Sequence, residues 1–99
     1  MTFDATVAAI QRELPQTAQH EQVAVLAAVQ DQVLRCIETQ GANDRQLYEY
    51  LAFSQRLDEA VAKLDPPPPA DSLLVKLVAR CADFSREVLD AMTQGTRMQ

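Results

Sequence analysis

Apolar residues along this chain recur at alternating spacings of three and four, the period of a helix with one buried face, and few β-branched runs bounded by turns offer a strand. The clearest stretch runs from Val33 to Leu64. In its second half Leu47, Tyr50, Ser54, Leu57, Val61 and Leu64 form one line along a helix, with Leu51 beside them. Upstream, Leu26, Val29, Val33, Cys36 and Ile37 mark one side of a helix from about Thr17 to Gln40. Val23, Val25, Ala27 and Leu34 widen that side to nearly half the circumference, which predicts more than one packing neighbour. Downstream, Leu74, Leu77, Cys81, Phe84, Val88 and Ala91 repeat the pattern, broadened by Leu73, Val78, Leu89 and Met92. Near the start, Phe3, Val7, Ile10 and Leu14 predict one buried stripe on a short helix between Thr2 and Leu14.

The breaks between these segments carry turn and capping residues. Gly41 stands where a left-handed position is cheapest without a Cβ, and Asn43 offers an oxygen to the next helix, with Gln46 placed to reach back as in a capping box. So short a loop makes the flanking helices antiparallel neighbours. Pro15 closes the first helix, Thr17 caps the second, and Asp71 or Ser72 caps the last; Gly95 is expected to end that helix and residues 96–99 to fray. Asp65 precedes Pro66, Pro67, Pro68 and Pro69, a polyproline II connector of roughly 12 Å at about 3.1 Å per residue, which is the distance across a packed helix pair. Without flanking arginine, four prolines make a connector before they make a ligand for an aromatic groove. The pattern predicts an all-α fold: an up-and-down antiparallel bundle of three long helices plus a short N-terminal helix packed across them, one domain over 1–99 with its proline connector at 66–69.

Composition agrees and narrows the function classes. Hydrophobic residues make up 47% and charged residues 23%, the range of globular chains and not of disordered ones. A net charge of -5, with the basic residues scattered among acids, argues against a nucleic-acid surface. No apolar run reaches membrane-spanning length and Met1-Thr2-Phe3-Asp4 is no signal start, so the expectation is a cytoplasmic protein that is not integral to a membrane.

Catalytic chemistry finds no foothold in the sequence. There is no glycine-rich phosphate loop and no nucleophile with a plausible base, so the expectation is a non-enzyme without cofactor. The sole histidine, His20, and the two cysteines, Cys36 and Cys81, lack the spacing of a metal site, so no metal is expected either. Both cysteines fall on apolar helix faces and are expected to be buried thiols. His20, near a helix start, is expected to face solvent; helical phosphotransfer domains present a histidine in this way, but Glu21 behind it would repel a phosphoryl donor.

Three large apolar side chains are least accounted for by the helix seams. Leu34, Tyr48 and Phe53 lie at the edges of the stripes on the second and third helices, and together they are expected to form a partner-binding face.

The run Val33, Arg35, Ile37, Glu38, Gly41, Asn43, Leu47, Tyr48, Glu49, Leu51, Leu57, Val61 and Lys63 resembles the junction of the second and third helices in GAT domains, the helical modules of GGA-type and related endosomal sorting adaptors. The similarity covers about a third of the chain; the family's Asn-Asp pair in the third helix falls here at Ser54-Gln55. What the resemblance implies is a non-catalytic module that binds ubiquitin or trafficking adaptors through apolar patches. The alternative from composition and pattern is a small acidic helical chaperone or self-assembling regulatory protein, a homodimer or a bacterial secretion-system accessory protein, to which a chain opening on Met1 lends some weight.

Overall fold

The computed structural model describes residues 2–97, with side chains through residue 93. Helices α1 (Phe3–Gln11), α2 (Ala18–Gln40), α3 (Asp44–Ala62) and α4 (Leu73–Arg97) follow one another, and no strand occurs among the described residues. Each helix begins where a side chain satisfies the free amides of its first turn. Thr2 Oγ1 accepts from Ala5 N at 3.2 Å, Thr17 Oγ1 from His20 N at 3.1 Å, and Ser72 Oγ from Val75 N at 3.3 Å. At α3 the capping box is complete: Asn43 Oδ1 accepts from Gln46 N and Gln46 Oε1 accepts from Asn43 N, both at 2.9 Å. Gly41 ends α2 at φ 77°, ψ 178°, a region closed to residues with a Cβ, and its amide donates to Ile37 O at 2.8 Å. A Cβ there would meet open space, so glycine is required by the backbone and not by crowding.

α2, α3 and α4 pack against one another as an antiparallel three-helix bundle, and α1 lies against α2 and α4. The main core gathers Ile10 and Leu14 from the first segment, Val23, Ala24 and Ala27 from α2, Leu57 and Leu64 from α3 and its end, and Leu74 from α4. Each fully buried leucine there contributes about 1.5–3 kcal/mol of transfer free energy. A second, smaller core lies nearer the Gly41 turn, where Leu34, Tyr50 and Cys81 meet, with Ile37 and Phe84 against them. The Tyr50 and Phe84 rings stand edge to face, 5.3 Å between centroids.

Polar side chains separate the two cores. Buried Gln30 of α2 donates from Nε2 to Tyr50 O at 3.1 Å and to Ser54 Oγ, and Tyr50 Oη donates to Cys81 O at 3.2 Å, so α2, α3 and α4 are joined by one chain of bonds. Next to it Asp31 is 1% exposed. Arg80 of α4 reaches Asp31 Oδ1 at 3.4 Å and Glu38 at 2.6 Å, while Arg35 Nε lies 3.0 Å from the other oxygen without hydrogen-bond alignment.

Several expectations change in three dimensions. In α1, Ile10 and Leu14 are buried as expected, but Phe3 is exposed, Val7 half-buried, and Thr6 takes the buried place with its hydroxyl donating to Thr2 O at 3.0 Å. A helix this short reaches the core only with its C-terminal end. His20 is 1% exposed, not solvent-facing: Nε2 donates to Pro66 O at 3.0 Å, so the proline connector folds over it. Cys36 is exposed and only Cys81 is buried, because Cys36 sits on the side of α2 that no helix covers. α4 continues through Gly95 to Arg97, since glycine in a helix costs only about 1 kcal/mol against alanine and permits termination without forcing it. Of the tail expected to fray, residues 98–99 lie outside the described residues.

Candidate functional site

Leu34, Tyr48 and Phe53 fall in three different environments. Leu34 is 1% exposed and belongs to the smaller core, which removes it from any docking face. Its place at the edge of the α2 stripe is where α2 meets its neighbours, so the wide apolar arc buries it. Tyr48 is 62% exposed. Phe53 is half-buried in a groove of about 450 Å³ between α2 and α3, alongside Val29, Val33 and Cys36. Tyr48 opens instead onto a second groove of about 650 Å³ at the Gly41 end of the bundle. The three residues therefore do not share one face.

The groove beside Tyr48 runs between the start of α3 and the C-terminal half of α4. α4 has 25 residues against 19 for α3, and the pairing of Tyr50 with Phe84 puts residue 91 or so level with the Asn43 cap. α4 thus overshoots the turn by roughly 9 Å at 1.5 Å per residue. Phe84, buried Val88, Ala91 and Met92 of α4 form one wall of the groove, Leu47 and Tyr48 of α3 the opposite one. Ile37 and Ala42 close the end toward the turn. Leu89, 51% exposed, continues the apolar character outside the groove.

Two acids stand on the groove's lining, Asp44 in the first turn of α3 and Glu87 on α4. Neither forms an ion pair among the described residues. The cations next to them in sequence are already engaged, Arg45 with Glu49 at 3.3 Å and Arg86 with Asp83. Asp44 also has a local role, because a carboxylate at a helix start meets the positive end of the dipole.

Other candidate chemistry is absorbed by the structure. His20 uses both ring nitrogens, Nε2 toward Pro66 O and Nδ1 toward Thr17 Oγ1 at 2.6 Å. Since Pro66 O only accepts, Nε2 carries a proton, and the Thr17 hydroxyl is free to donate to Nδ1 while accepting from His20 N. Neither nitrogen is presented to a phosphoryl donor. Burial pushes the Cys81 thiol and the Tyr50 phenol above their ordinary ranges, keeping both protonated, and desolvation raises the Asp58 carboxyl. Among the described residues no group of three or more His, Cys, Asp or Glu side chains is placed to hold a metal ion. Among the described residues no helix is long and apolar enough to cross a membrane.

Sequence reasoning missed the α4 wall. The seam expected on α4 buries Val88 and packs Phe84 against Tyr50, but Ala91 is exposed and the same residues edge the groove, which the spacing along α4 does not reveal.

Fold and groove together define an all-α helical bundle with an open apolar end. No protein family, no curated protein and no solved structure matches this chain.

Proposed function

We propose that this protein is a non-catalytic protein–protein interaction module that docks a partner in the groove between α3 and the C-terminal half of α4. The observation that carries the reading is Tyr48, a large aromatic 62% exposed above an apolar floor, the arrangement in which aromatic anchors concentrate binding energy. The resemblance of the α2–α3 junction to GAT domains names ubiquitin or a trafficking adaptor as the first partner to try. Titrating isotope-labelled protein with ubiquitin is the test, with amide shifts expected to gather at Leu47, Tyr48 and Val88 and to weaken in Tyr48→Ala at unchanged melting temperature. A spectrum untouched by about 1 mM ubiquitin, a concentration that detects binding as weak as about -4 kcal/mol, sinks the ubiquitin assignment.

Self-assembly, as in a small chaperone or regulatory homodimer, is favoured by a different observation. Val33 on α2 is exposed, and the groove it lines is edged by Gln32, Gln40 and Gln46, with Glu49, which faces Arg45, as its one charged residue, in a chain of net charge -5. Sedimentation equilibrium decides it: a mass that doubles with concentration and returns to the monomer in Val33→Glu supports self-assembly through α2.

A further inference from the structure

We infer that the α3–α4 groove is built for an amphipathic helix whose apolar stripe is flanked by lysine or arginine; this rests on the reading above that the groove docks a protein. The helical shape of the occupant follows from the wall it must meet. Phe84, Val88 and Ala91 are spaced four and three apart, the ridge one helix offers another, and they face Leu47 and Tyr48 of α3 across an open groove of about 650 Å³. An added helix of about 10 Å diameter would sit against the α4 ridge with Leu47 and Tyr48 on its other flank.

The charge of the occupant follows from the lining. Asp44 and Glu87 form no ion pair among the described residues and stand on an otherwise apolar groove, and the neighbouring Arg45 and Arg86 are tied to Glu49 and Asp83, so cations brought by a partner meet carboxylates without displacing a described internal pair. A net charge of -5 adds long-range attraction for a basic partner. The same facts disfavour a second copy in this groove. A two-fold arrangement would bring Asp44 and Glu87 of each chain toward their counterparts, and both molecules repel.

The test uses the full chain and two synthetic amidated peptides of about 14 residues, roughly four helical turns, sharing one leucine stripe but carrying lysines or glutamates on the flanks. The expected result is that the lysine peptide shifts the amides of Leu47, Tyr48, Val88 and Ala91 and binds at least about tenfold tighter than the glutamate peptide, losing affinity as salt rises from about 50 to about 200 mM. Glu87→Lys should weaken the lysine peptide several-fold. Glu59→Lys makes the same change in net charge on α3, outside this groove's lining, and should leave binding nearly intact, with circular dichroism confirming that both variants fold.

Three outcomes overturn the inference. Equal binding of both peptides at the groove removes the charge assignment while leaving the interaction reading in place. Equal weakening by Glu59→Lys and Glu87→Lys, or shifts away from the groove, reduces the effect to general attraction between an acidic protein and a basic peptide. A dimer in sedimentation that Tyr48→Glu returns to monomer makes a second copy the occupant.

Discussion

Tyr50 and Cys81 are polar residues held as core, and both are tied to the same backbone carbonyl position: Tyr50 Oη donates to Cys81 O, which also accepts from Ser85 Oγ at 2.9 Å. Burial raises the proton affinity of the phenol and of the thiol in the folded chain above that in the unfolded chain. A group whose folded value is raised contributes its stability in full below the unfolded value and loses it as pH climbs toward the folded one. The contribution of these two groups should therefore be level below about pH 8 and decline above it, first through the thiol, whose unfolded value is near 8.5, and then through the phenol, near 10. Urea midpoints at neutral and alkaline pH measure this. Tyr50→Phe should flatten the decline above about pH 10, and an unchanged decline in that variant would mean that Tyr50 is not the group responsible.

At the scale of elements, the ends of the helices are secured by parts of the chain distant in sequence. Glu13, just after α1, accepts at Oε2 from Leu73 N at 2.7 Å, so the first residue of α4 is held by a carboxylate supplied from the opposite end of the chain. Gln19 donates to Lys63 O at 3.1 Å and His20 to Pro66 O at 3.0 Å, which fastens the α2 start to the α3 end and the connector. These bonds bring α1, α2 and α4 together at one end of the bundle. A charged acceptor at a helix start is worth about 1 kcal/mol. Glu13→Gln, which keeps one oxygen but loses the charge, is expected to lower stability by a few tenths to about 1 kcal/mol, and Glu13→Ala by about 1–2 kcal/mol. Equal midpoints for Glu13→Ala and the parent chain in urea would show that the contact to Leu73 N contributes nothing.

For the whole molecule, the division of the core into two apolar clusters with a polar layer between them matters more than either cluster. Gln30, Ser54 and Asp31 can be satisfied only when α2, α3 and α4 stand in one register, since sliding any helix by a turn leaves a buried amide or carboxylate without its partner. Arg80 joins Asp31 to Glu38 across α2 and α4 while remaining partly exposed. Arg80→Ala should cost about 1–3 kcal/mol, below the value for a fully buried pair because Arg35 still faces Asp31. The loss is expected to change little between low and moderate salt, because a carboxylate 1% exposed is poorly screened. A midpoint unchanged by Arg80→Ala would assign the compensation of Asp31 to Arg35 alone.

The repeat of apolar residues at three and four, the Gly41–Asn43 turn with its capping box, and the prolines at 66–69 determined the fold class, the helix order and the antiparallel hairpin, because these are local consequences of backbone freedom and side-chain period. Which part of a wide apolar arc is covered is a different kind of property. Periodicity places Leu34, Val33 and Cys36 on one broad side of α2, yet packing buries the first and leaves the other two exposed, since α4 and α3 reach only part of that side. His20 likewise has no periodic reason to be buried; a carbonyl of the proline connector, 46 residues away, draws it in. The groove beside Tyr48 was decided by tertiary structure as well, because it exists only where the C-terminal half of α4 comes alongside the start of α3, and that register is set by how Tyr50 and Phe84 meet across two helices and not by the spacing within either one.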